Sequence, residues 1–157
     1  MNGKTSSSFA FARSLVRVVV DEIGGDAIVE ATFAPVYEVG SDRGLKIEIA
    51  PVARRVAAET RDGCRTTFFA QIAIRERVGT ERDFERIDEL IALEERIETA
   101  LLRCRVALAD DREAVVESVE TKAVYDAASL TNQGVFVGVL EVVASTDELY
   151  FYRGAEE

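Results

Sequence analysis

The sequence predicts an α+β domain, with an antiparallel or mixed sheet of four to five strands and two helices packed on one face. Three observations lead there. Residues 8–23 and 81–103 repeat apolar side chains at helical spacing. Several other stretches alternate apolar with polar residues or are rich in β-branched and aromatic ones. These segments come in the order helix, strand, hairpin, helix, hairpin. With 157 residues, no internal repeat and no linker, residues 1–157 read as a single domain. An apolar content of 48% with only two prolines supplies a core and excludes wholesale disorder.

In the first helix Phe9, Ala12, Val16, Val19 and Ile23 share a face, with Arg13, Arg17 and Asp21 opposite. Ser6–Ser8 can cap its start and Gly24-Gly25 can end it. Ala27–Val39 is strand-rich but contains Pro35, which cannot donate to a ladder, so it is an edge strand or an extended arm. A turn at Gly40–Gly44 leads to Leu45–Ile49, which alternates apolar inward and charged outward. Pro51 interrupts this strand, and extended structure resumes through Val56. After the turn Arg61-Asp62-Gly63, Phe68, Ala70, Ile72 and Ile74 share one strand face, with Gln71, Arg75 and Arg77 on the other, giving an antiparallel hairpin.

The helix at Glu81–Arg103 places Phe84, Ile87, Leu90, Ile91, Ile97 and Leu101 on one arc. Arg82, Glu85, Arg86, Glu89 and Arg96 lie opposite, spaced for ion pairing. Glu94 and Glu98 fall nearer the apolar arc, at its margin or facing another subunit. Strands at Val115–Tyr125 and Val135–Ala144 follow, joined by a polar connection. The tail from residue 146 carries Tyr150-Phe151-Tyr152, which strand alternation cannot turn wholly into the chain's own core.

The absence of histidine removes the commonest general base and zinc ligand, and every Ser–His or Cys–His nucleophile pair. Cys64 and Cys104 have no CxxC partner, and no P-loop, dinucleotide fingerprint, GxSxG elbow or EF-hand loop is present. The sequence therefore predicts no enzyme and assigns no catalytic, cofactor-binding or metal-binding residue. No targeting signal appears, and the longest charge-free run, Ala127–Leu140, is too short and polar to span a bilayer, so no membrane partner is expected. The net charge of −10 disfavours nucleic acid held by overall charge.

That charge is uneven. Residues 1–56 are net 0, residues 57–105 net −2 and residues 106–157 net −8. Sixteen of the 19 basic residues are arginine, the side chain best suited to bidentate interface pairing, although GC-rich coding gives the same bias. Arg54, Arg55, Arg61, Arg65, Arg75 and Arg77 gather on the first hairpin. A chain basic on one side and acidic on another can join head to tail, and such contacts close into rings. The candidate subunit or partner interface is thus these six arginines with Glu94, Glu98, Tyr150, Phe151 and Tyr152.

The segments Glu38-Val39, Leu45–Ile49 with Pro51, the helix ERDFERIDELIALEERIETALL, Tyr125-Asp126 with Leu130, and the strand from Val135-Phe136 occur in that order across residues 30–145. In this arrangement the chain resembles the tail terminator (tail completion, neck ring) proteins of long-tailed phages and phage-like particles. The resemblance implies a non-enzymatic virion protein, assembled in the host cytoplasm, that forms a ring, commonly a hexamer. The ring caps the tail tube and meets the head–tail connector. Its implied partners are further copies of itself, the major tail tube protein and the connector protein, with DNA only as passing cargo; the negative charge fits a lumen that does not hold phosphates. It implies no cofactor. Another connector or minor tail component, or a small-ligand-binding regulatory domain, is the alternative.

Overall fold

The computed structural model describes residues 5–25, 27–34, 44–79, 83–109 and 111–149. In chain order the elements are α1 (Ser7–Ile23), β1 (Ile28–Ala31), β2 (Lys46–Thr60), β3 (Gly63–Arg77), α2 (Phe84–Leu101), β4 (Arg105–Ala107), β5 (Glu113–Ala123), α3 (Ala127–Gln133) and β6 (Val135–Leu149). The strands form one sheet in the order β1-β2-β3-β6-β5-β4. Only β1 and β2 run parallel; every other neighbouring pair is antiparallel.

The α+β class matches the sequence, but among the described residues the sheet has six strands rather than four to five, and there are three helices rather than two. The three-residue β4 is too short to show alternation. The seven-residue α3 lies in the polar connection, where no apolar period marks a helix. Its boundaries are chemical: the Asp126 carboxylate accepts from the Ser129 amide, and Gly134 ends it in the left-handed region at φ 64°. A side chain at Gly134 would come within 2.7 Å of the Gly79 backbone, so the position requires glycine on two counts.

Helices α1 and α2 pack against each other and onto the same sheet face, α1 over β1 to β4 and α2 over β5 and β6. The core between them holds Phe11, Leu15 and Val19 from α1 and Leu90, Ile97 and Leu101 from α2. From the sheet it takes Ile47, Ile49, Phe68, Ile72, Ile74, Phe136 and Leu140. The buried face of α1 is rotated from the expected one: Phe11 and Leu15 are fully buried, while Phe9, Val16 and Ile23 are half-buried. On α2, Phe84, the first helical residue, is exposed rather than on the buried arc.

Strand β2 does not stop at Pro51. A register shift between Pro51 and Ala53 absorbs the missing amide, and pairing with β3 continues to Thr60. The expected outward placement of Glu48 also needs correction. It lies on the face away from the helices yet is only 4% exposed, held by Lys46 at 3.2 Å and Arg75 at 3.1 Å. The Arg61-Asp62 turn and the β2–β3 hairpin are as expected. The expected arm through Val39 is seen only as β1, an edge strand; residues 35–43 lie outside the described residues.

Candidate functional site

The hairpin arginines divide into two groups along a strand pair of 15 residues each. Arg54, Arg55, Arg61 and Arg65 sit on the turn-proximal half. Arg75 and Arg77 sit near the far end of β3, ten and twelve positions from Arg65, or about 33 Å and more at strand rise. The sequence reading brought six together; the structure brings together four.

Within the nearer group the environments differ. Beyond the β2 shift, Val52 to Thr60 lies outside the helix layer, and all but Ala57 are exposed. Neither face of this segment is covered. Arg54, Arg55 and Arg61 project from it and make no ion pair with a described residue. Arg65, by contrast, reaches Asp147 of β6 at 3.0 Å, Glu59 of β2 at 3.4 Å and Glu117 of β5 at 3.9 Å. The Asp147 hydrogen bond, then the acidic neighbours, hold its guanidinium charged. Arg65 thus ties its own strand to three others of the sheet, whereas the other three arginines have no ion-pair partner among the described residues.

Arg75 is spent on Glu48, and its side chain is 12% exposed. Arg77 is exposed at the strand end. Glu98 is half-buried and accepts a hydrogen bond from the Thr121 hydroxyl. Glu94 is buried inside the fold, at 2% exposure, with its carboxyl laid on Gly138 of β6. Its Oε1 has no hydrogen-bond partner. Burial, reinforced by Glu98 and Glu95, pushes its pKa up to about 8, so it is protonated at neutral pH. It offers nothing to a neighbouring subunit. Tyr150, Phe151 and Tyr152 lie outside the described residues.

The charged face of α2 pairs within the helix, as its spacing predicts, and also reaches other elements. The helix α2 pair between Arg86 and Glu89, at 2.8 Å, follows from spacing alone. Arg86 also grips Glu76 of β3 at 2.6 Å, and Arg96 reaches Glu22 of α1 at 3.4 Å. Both links cross between elements and need the packing to be known. Gly138 did leave a signal, since a lone glycine inside a strand pattern marks a close approach.

An open cavity of about 570 Å³ lies where the end of α1 meets α2 and the start of β2, lined among others by Leu45, Glu76, Arg86, Leu90 and Arg96. Its size suits a small molecule. Its charged groups are already paired, Arg86 with Glu76 and Glu89 of the lining and Arg96 with Glu22 beside it. Among the described residues no three potential metal ligands come together. No described helix is long and apolar enough to cross a membrane. Compared with known proteins, the chain matches no family model and no curated protein.

Proposed function

We propose that this chain is a structural building block of a phage or phage-like tail. In this reading it acts as a non-enzymatic terminator that assembles into a ring, commonly a hexamer, on the end of the tail tube and meets the head–tail connector. The order of segments across residues 30–145 supplies the family. The observation that carries the assembly role is the hairpin segment Val52–Thr60, exposed on both faces, which with the turn after it presents Arg54, Arg55 and Arg61 without described acidic partners. A side chain that is charged, projecting and uncompensated within its own chain suits an interface with a complementary surface. The complement exists on the same molecule, in the acidic residues 106–157, and self-complementarity of unlike patches is what a head-to-tail ring uses.

Electron microscopy tests the reading. Purified protein, alone or added to tail tubes, should give ring-shaped particles with a central opening, seated on one end of the tube. A particle with no ring and no affinity for tubes overturns it.

A small-ligand-binding role is the second reading, favoured by the cavity beside Arg86 and Arg96. A ligand there has to displace the Arg86–Glu76 or Arg96–Glu22 pairing. Saturable binding of one metabolite, abolished by Arg96→Ala, would establish it over the first.

A further inference from the structure

The sheet ends in two incomplete edges. On one side β1 pairs with β2 only over Lys46–Ile49, and the Thr32 amide adds a last bond to Ile49. Among the described residues nothing pairs with the outer edge of β2 from Val52 to Thr60. On the other side β4 pairs with β5 only over Glu113–Val115, with backbone bonds reaching Val116. Among the described residues nothing pairs with the outer edge of β5 from Glu117 to Ala123. One free edge is nine residues long and the other seven. The first carries Arg54 and Arg55; the second carries Glu117, which meets Arg65, and Glu120, which meets Lys122 at 3.1 Å on its own strand and would have to share its carboxylate with a neighbour's arginine.

We infer that these two edges are halves of one interface, in which β2 of one copy and β5 of the next form an intermolecular antiparallel ladder. The inference takes its partner, a second copy, from the ring reading above. Successive pairs β2–β3, β3–β6 and β6–β5 are antiparallel, so β2 and β5 run in opposite directions. A neighbour presenting the same face therefore brings its β5 antiparallel to β2, and the sheet continues without a break. Backbone pairing supplies affinity and side-chain register supplies specificity.

The register follows from which face each residue occupies. Arg55 shares the face opposite α1 and α2 with Thr67, and Glu120 shares it with Glu141 and Gln71. Setting Arg55 opposite Glu120 sets Val56 opposite Val119 on the helix face, an apolar pair beside a charge pair. Two-residue slips that preserve the faces put Arg55 against Ser118, with no charge to meet, or against Lys122, which repels it. Within one copy Glu120 is level with Glu141, Gln71 and Ala50, so the neighbour's Glu120 meets β2 five positions further along, at Arg55. Because one of the five is the bulge residue, the slip is four positions of β3, Gln71 to Thr67, about 13 Å across four strands about 19 Å wide, a strand tilt of about 35°. Closed sheets have tilts in this range, so the stagger suits a ring.

Two sets of variants test the ladder. Arg55→Glu and Glu120→Arg should each weaken self-association at least tenfold, because like charges then face each other. An equimolar mixture of the two should regain wild-type particle size, since every contact is again of opposite sign. Arg55→Cys combined with Glu120→Cys should give a ladder of disulfide-linked multimers on oxidation, which neither single variant gives. Failure of both rescue and cross-linking, in a protein that still forms rings on tubes, overturns the edge pairing and leaves the ring reading standing. Cross-linked open filaments that never cap a tube support the pairing and overturn the tail-cap role. A wild-type chain that stays monomeric at every concentration, with its β2 edge amides protected from hydrogen exchange, overturns the pairing by assigning that edge to the chain's own 35–43 segment.

Discussion

The carboxyl of Glu94 rests directly on the backbone of Gly138, in the space a side chain at that strand position would fill. Helix α2 and strand β6 meet there through an acid with an unpartnered oxygen. The unfolded chain ionises this carboxyl near its ordinary value of 4.5, while the folded chain keeps its proton up to about pH 8. Below 4.5 both states hold the proton and the group adds no pH dependence. Between 4.5 and 8 the folded state holds the proton and the unfolded state does not, so this group's contribution declines as pH rises.

Glu94→Gln removes that dependence while keeping the shape. The stability difference between variant and wild type is expected to shift in favour of glutamine by about 2 kcal/mol from pH 5 to pH 7. Urea unfolding at both pH values measures it. Parallel pH profiles would show that Glu94 is ionised in the folded chain.

Gly138→Ala places a methyl group on the Glu94 carboxyl, with the Val124 carbonyl 3.1 Å away on another side. Overpacking of this kind costs about 1–3 kcal/mol. Adding Glu94→Ala clears the obstruction, so the double variant is expected to be more stable than Gly138→Ala alone. Additive losses in thermal unfolding would place the clash elsewhere.

Arg86→Ala leaves Glu76, whose side chain is 11% exposed, without its bidentate partner. Solvent at the Arg86 side chain, which is 37% exposed, limits the expected loss to about 1–2 kcal/mol. Arg77→Ala, at the exposed strand end, should leave stability unchanged. Equal losses in the two variants would deny Arg86 its role in joining α2 to β3.

Much of this layout is legible in the sequence, and the failures share a cause. The hairpin around Arg61-Asp62 and the long helix were set by local periodicity and turn chemistry. Phe11 and Leu15 were missed because α1 carries apolar residues over more than half its circumference, so period alone leaves its rotation open. Glu48 and Arg75 each read as solvent-facing; only the register of β2 against β3 shows that they neutralise each other. Glu94 occupies a core position of an otherwise regular apolar arc, between Leu90 and Ile97, and its charge hid that placement. The division of the arginines into available and committed ones depends on Asp147 and Glu117, 82 and 52 positions away from Arg65, which no local pattern connects.

That division predicts a salt response. Raising the ionic strength to about 1 M shortens the screening length to about 3 Å, and assemblies held through Arg54 and Arg55 should shift toward smaller particles in light scattering. Arg75→Ala should leave particle size unchanged at low salt, because its partner is internal, whereas Arg54→Glu with Arg55→Glu should reduce it. Size indifferent both to salt and to that double reversal rules out charge pairing by this hairpin.

The two smallest strands constrain all of this. Among the described residues, β1 occupies one end of its sheet margin and β4 the opposite end of the other, so a second copy cannot bring β5 against β2 in unslipped register. Short edge strands of this kind are one way a sheet blunts its margins against pairing. Seven residues of β structure act as doorstops, and a β5 laid on β2 has to slide past them to an oblique seat.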